Sequence, residues 1–191
     1  MRTSFTLKRN CSALLVIDMQ RYFCDKDSGA QVPQVDKVIS KIKQLIDFFS
    51  KNKRPIIFTR HIDSDNDNNM MLKWWSENIR EDDSMSEIIT DFETKRGEVL
   101  IKNQYDAFFN TDLETRLKDE NVTQVLISGV LTNLCCETTA RSAFMRGFEV
   151  YFATDATATF KKEMHKATLL NLSYGFATLV TVDEVLKIFK K

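Results

Sequence analysis

The chain has 191 residues, 43% of them hydrophobic and 28% charged, and its 27 Lys and Arg offset its 27 Asp and Glu to a formal net charge of zero. That length fits one domain with a sizeable core, expected over residues 1–191, and the neutral balance offers no attraction to nucleic acid or an anionic membrane. No apolar run reaches the ~20 residues of a membrane span; no signal-peptide pattern precedes the first strand-like segment, and four cysteines without a C-x-x-C pair read as reduced thiols, so a cytoplasmic protein is expected.

The first strand candidate is "SALLVID" (12–18), followed by "VDKVISKIKQLIDFFSK" (35–51), which brings Val38, Ile42, Leu45, Ile46 and Phe49 to one helical face. Strand character returns in "PIIFTR" (55–60), "EVLIK" (98–102), "QVLISGV" (124–130), "EVYFATD" (149–155) and "FATLVTV" (176–182). Helical segments fall at 111–120, 135–146, 162–173 and 182–190, with Thr111 and Glu114 as a capping box on the first and Gly147 where the second ends. This alternation predicts an α/β fold: a three-layer α/β/α domain with a central, mostly parallel six-stranded sheet, Rossmann-like. Residues 62–94 break the pattern with an Asn/Asp-rich loop and the short apolar run "MMLKWW"; a loop this long is usually functional. Trp74 and Trp75 read first as core or interface residues and second as substrate contacts.

In an open parallel sheet the ligand site lies beyond the carboxyl ends of the strands. Those ends carry Asp18, Arg60 with His61, Lys102, the turn before Cys135, and Asp155. Singly, Asp18 could cap a turn, Lys102 could be a solvated charge and Cys135 a small buried hydrophobe. Their coincidence on one edge favours chemistry. A cysteine in the first turn of a helix beside an ammonium is expected to be a thiolate near neutral pH. A carboxylate can shuttle its proton, and backbone N–H groups at the helix start can hold an oxyanion. Cys136 points about 100° away around the helix axis, so one pocket takes only one of the two thiols.

"LLVIDMQRYF", "KNQYDAFFNTDL" and "SGVLTNLCCETTARSAFMRGFEVYFATDA" together resemble the signature regions of the isochorismatase-like cysteine hydrolases, which include nicotinamidases, N-carbamoylsarcosine amidases and ureidoacrylate amidases. The resemblance implies Cys135 as nucleophile, Asp18 as general base and Lys102 as third member of a triad. It implies a cis Val130–Leu131 peptide and an oxyanion hole from the N–H groups of Leu131 and Cys135. Phe23, Arg60, His61, Trp74 and Tyr105 are the expected substrate contacts.

Nicotinamidases carry an Asp-x-His metal motif after the second strand, where this chain has His61-Ile62-Asp63, and its second and last histidine is His165. No catalytic metal and no cofactor are therefore expected, with weak metal binding by His61 and Asp63 as the alternative. The expected activity is hydrolysis of a small amide, carbamoyl or ureido compound through a Cys135 thioester. The alternatives are vinyl ether hydrolysis, a thiol redox role for the vicinal cysteines, and a non-catalytic scaffold. The expected partners are a small-molecule substrate and further copies of the chain, as a dimer or larger homo-oligomer.

Overall fold

The computed structural model describes residues 5–63 and 69–188. The Asn/Asp-rich stretch 64–68 and the end of the last helical segment, 189–190, lie outside the described residues. Six strands form one sheet: β1 (Ser12–Ile17), β2 (Ile56–His61), β3 (Glu98–Lys102), β4 (Gln124–Val130), β5 (Glu149–Ala158) and β6 (Ala177–Val180). Their order is β3-β2-β1-β4-β5-β6 and every pairing is parallel.

Among the described residues there are seven α-helices: α1 (Arg21–Cys24), α2 (Val35–Lys51), α3 (Met70–Trp74), α4 (Leu113–Asp119), α5 (Glu137–Met145), α6 (Lys162–Gly175) and α7 (Val182–Ile188). Strand side chains alternate between faces. Leu14 and Val16 of β1 pack with Val38, Ile42, Leu45 and Phe49 of α2 and Val185 of α7. Ala13, Leu15 and Ile17 face Leu113 and Leu117 of α4, Ala140 and Ala143 of α5, and Leu172 of α6. Burying both faces explains why the strands read as continuous apolar runs. No described helix is long and apolar enough to cross a membrane.

Several boundaries differ from the sequence reading for identifiable reasons. The fourth helix starts at Leu113: Asp112 holds the N-cap position without a side-chain cap bond, the Thr111 hydroxyl donates to Ala107 O at 2.6 Å and accepts from the Leu113 N–H at 3.3 Å, and Glu114 pairs with Lys118 instead of closing a capping box. The second helical segment begins as a single π-turn, Thr132–Cys136, before α5. Strand β5 runs on to Ala158, so Asp155 lies within it; its carboxylate meets Lys41 at 3.3 Å and the Val182 N–H at 2.8 Å, tying α2 and α7 to the sheet.

Gly129 places β4 against β1. Its φ is +112°, and a Cβ there would lie 2.1 Å from Ile17 O. Only glycine lets the two strands approach this closely in that conformation. The chain reverses its winding between β1 and β4, and the residues after both strands open toward the same crevice.

Candidate active site

Asp18 follows β1 with φ of 46°, a left-handed conformation that Asp tolerates better than most side chains. Thr59, buried in β2, holds it there: the hydroxyl donates to Asp18 Oδ1 at 2.6 Å and accepts from the Asp18 N–H at 3.0 Å. Lys102 ends β3, two strands away, and its long side chain reaches back to place Nζ 2.7 Å from Asp18 Oδ2. Both side chains are fully buried. The same ammonium donates to Gln104 O at 2.9 Å and to Cys135 Sγ at 3.6 Å. One ammonium thus joins the carboxylate after β1 to the thiol after β4.

Burial alone would raise the Asp18 carboxyl, but the Lys102 ammonium, His61 and hydrogen bonds from Lys102 and Thr59 together hold it below its ordinary value. Lys102 is the mirror case, with burial outweighed by Asp18 and Cys135, and its pKa is raised. The pair is therefore ionised.

Cys135 departs from the expected thiolate. Burial pushes its pKa up, the nearby Lys102 charge offsets only part of this, and Asp18, to which the thiol is hydrogen-bonded, pushes it further. The residue also sits in a π-turn, with the first α-helical turn beginning two residues later, so the helix macrodipole contributes less than a position in that turn would receive. Burial and Asp18 thus both hold Cys135 toward the neutral thiol. Cys136 is completely buried on the other side of the turn, its S–H directed toward Ser128 O, and all four cysteines are free.

Asp18 and Cys135 open onto a cavity of about 260 Å³ whose walls include Phe23, Trp75, Tyr105, Leu131, Leu134 and Phe160. The peptide bond between Val130 and Leu131 is cis. Leu131 O accepts from the N–H groups of Leu134 and Cys136, at 3.1 and 3.2 Å, which closes the turn that carries Cys135. Thr132 Oγ1 lies 3.0 Å from His165 Nδ1, linking the same turn to α6.

Of the expected substrate contacts, Phe23, His61 and Tyr105 line the cavity. Trp74 does not: it is 73% exposed, and the neighbouring Trp75 takes its place, with Nε1 donating to Tyr105 OH at 2.8 Å. Arg60 is spent on the loop beyond α3, donating to Ser86 O and Glu81 O at 3.1 Å and pairing with Glu87 at 3.2 Å. Strand pleating explains both Arg60 and Thr59, since neighbours in a strand face opposite sides and only Thr59 faces Asp18.

Sequence reasoning passed over Thr59, Gln20 and Phe160, and considered Asp63 only as a weak metal ligand. Gln20 is buried, and its amide clamps the His61 backbone, accepting from His61 N at 2.8 Å and donating to His61 O at 2.9 Å. A hydroxyl inside the apolar "IIFTR" and a polar "QR" two residues after Asp18 were the available signals.

His61 Nε2 is engaged by Asp63 Oδ1 at 3.0 Å, Asp63 Oδ2 accepts the Ile79 N–H at 2.8 Å, and no three His, Cys, Asp or Glu side chains among the described residues form a ligand group.

The Isochorismatase domain family matches residues 12–184. The chain is 44% identical over 179 residues to Nicotinamidase 3 of Arabidopsis thaliana, covering 91% of this chain and 86% of that protein. A cysteine hydrolase from Pseudomonas syringae pv. phaseolicola superposes with a TM-score of 0.92 at 24% identity, covering 98% of this chain and 96% of the other, which speaks to the fold. A pyrazinamidase/nicotinamidase from Streptococcus mutans superposes with a TM-score of 0.81 at 26% identity, covering 88% of this chain and 99% of the other. Sequence signature, six-stranded parallel sheet and extent of match agree: the chain belongs to the isochorismatase family.

Proposed function

We propose that this isochorismatase-family hydrolase is a nicotinamidase-like amidase that cleaves the C–N bond of a small, flat carboxamide through a thioester on Cys135. The observation that carries the reading is the joining of Asp18 and Cys135 by one buried ammonium at the end of an aromatic-walled cavity. The 44% identity to an Arabidopsis nicotinamidase supports the carboxamide class.

In this mechanism the ionised Asp18 takes the Cys135 proton as Sγ attacks the carbonyl carbon, so a standing thiolate is not required. Lys102 keeps Asp18 ionised at rest and offsets the negative charge as the thiol loses its proton. The N–H groups of Leu131 and Cys135 receive the carbonyl oxygen of the tetrahedral intermediate. Asp18 then returns the proton to the departing nitrogen and ammonia leaves. In the second half, Asp18 deprotonates a water that attacks the thioester, the acid is released and the proton returns to Sγ. One amide and one water give one acid and one ammonia.

The reading includes a cytoplasmic homo-oligomer. Free thiols suit a reducing compartment, and the exposed Phe144, Met145, Leu170 and Tyr174 on α5 and α6 are apolar surface that a second copy would cover.

The test is ammonia release from nicotinamide, carbamoyl and ureido compounds, run beside isochorismate turnover. The expected result is turnover of nicotinamide by the wild type and none by Cys135→Ala or Asp18→Asn. Turnover of isochorismate alone, or full activity in Cys135→Ala, would refute the reading.

A further inference from the structure

We infer that Thr59 is a positioning residue for the general base: its hydroxyl holds Oδ1 of the Asp18 carboxylate, so that Oδ2 is the oxygen turned to the Cys135 thiol. The inference rests on the amidase reading above and adds the group that decides how the base is presented.

Thr59 is completely buried in β2, and the parallel register that sets Val16 beside Phe58 brings it level with the end of β1. A hydroxyl has one proton to give and lone pairs to receive. Here the proton goes to Asp18 Oδ1 at 2.6 Å and a lone pair takes the Asp18 N–H at 3.0 Å, so one side chain grips both the carboxylate and the backbone of the same residue. That grip falls on a residue with φ of 46°, a conformation that persists where its surroundings impose it. The terminal torsion of an Asp side chain is broad, so nothing intrinsic to Asp18 chooses which oxygen faces the thiol. Lys102 completes the setting from the other side. Its Nζ lies 2.7 Å from Oδ2 and 3.6 Å from Cys135 Sγ, which puts Oδ2 on the thiol side with acceptor capacity still open.

The two oxygens thereby take different roles. As Sγ attacks the carbonyl carbon, the S–H bond breaks and its proton forms an O–H bond at Oδ2. The sulfur electron pair forms the S–C bond, and the displaced carbonyl pair moves onto the carbonyl oxygen. Asp18 is then a neutral acid whose carbonyl oxygen is Oδ1, and that oxygen still accepts from Thr59. The hydroxyl bond therefore survives each proton transfer, whereas a proton arriving at Oδ1 would meet the Thr59 O–H. Because the bond is stronger to the carboxylate than to the acid, it also returns Asp18 to the ionised form between turnovers. Thr59 is not among the cavity walls, so it acts through Asp18 and not on the substrate.

The test follows ammonia release from nicotinamide as a function of pH, beside urea unfolding on the acid side of neutrality. Thr59→Val keeps the shape and removes the hydroxyl. It should lower kcat by about tenfold or more, with KM within about threefold of wild type, and move the acid limb of kcat up by about one pH unit. Lys102, His61 and Cys135, the other titratable groups facing Asp18, are unchanged in that variant. Thr59→Ser, which keeps the hydroxyl, should recover most of the rate and the wild-type limb. If Thr59→Val does not fold, Thr59→Ala carries the same comparison. In unfolding, Asp18 is held below its unfolded value, so the stability the hydroxyl adds is present above about pH 4 and lost as pH falls through the folded pKa. The gap between wild type and Thr59→Val should therefore narrow on acidification, which a hydroxyl that merely tied two strands together would not produce. An unchanged kcat and acid limb, a loss carried by KM, or a Thr59→Ser no better than Thr59→Val would overturn the inference. If the wild type releases no ammonia, the amidase reading fails and the unfolding comparison alone decides: a narrowing gap keeps Thr59 as the group that holds the Asp18 carboxylate, and a constant gap removes it.

Discussion

Replacing Lys102 with Met probes the physics of the site most directly, because it removes one charge from a fully buried pair 2.7 Å apart and keeps a side chain of similar length. Removing one partner of such a pair costs about 3–5 kcal/mol, since the other charge is left in a low-dielectric interior without its counter-ion. Against a typical domain stability of about 5–15 kcal/mol the variant should still fold. For a chain of this size the loss corresponds to a fall in Tm of roughly 6–20 °C.

The pH dependence should change sign. In the wild type Asp18 is held below its unfolded value, so its contribution is complete above about pH 4 and is lost as pH falls through the folded pKa. In Lys102→Met burial dominates and the Asp18 pKa rises above the unfolded value. Its contribution is then present below about pH 4 and lost as pH climbs through the raised folded pKa. Urea unfolding of both proteins between pH 4 and 8 should therefore show a gap in stability that narrows on acidification. The double variant Asp18→Asn with Lys102→Met, which leaves no buried charge, should recover most of the stability at neutral pH and none of the activity. A single variant as stable as wild type at pH 7, with no narrowing of the gap at lower pH, would refute the argument.

Two further predictions use the local geometry. Iodoacetamide should label Cys135 faster than Cys136, because only Cys135 lines the cavity, and the Cys135 rate should keep rising from pH 7 to 9 because burial holds the thiol protonated; peptide mass spectrometry reads both rates, and a plateau already at pH 7 would mean a preformed thiolate. Gly129→Ala should destabilise the fold by about 3 kcal/mol or more, since its Cβ would meet Ile17 O at 2.1 Å in a conformation unfavourable to alanine, whereas Gly175→Ala, where a Cβ meets nothing within 4 Å, should melt close to wild type.

What sequence reasoning could reach follows from what each feature depends on. Asp18, Lys102 and Cys135 were legible because each is a polar residue at or just after the end of an apolar run, and the parallel sheet brings such ends together. The choice of Trp75 over Trp74 depends on which way one short helix is turned, and a five-residue element carries too little pattern to say. Thr111 misled because its hydroxyl donates back to Ala107, four residues earlier, and accepts from the Leu113 N–H two residues on, instead of capping the third residue of a helix. The protonation state of Cys135 was the least accessible, since the Lys102 that favours a thiolate arrives with Asp18, which opposes it, inside a site whose burial acts in the same direction as Asp18. Spacing can place a base beside a thiol, but only the packed interior decides which of them holds the proton. In this chain that interior holds the Asp18 carboxyl below its ordinary value and the Cys135 thiol above its own.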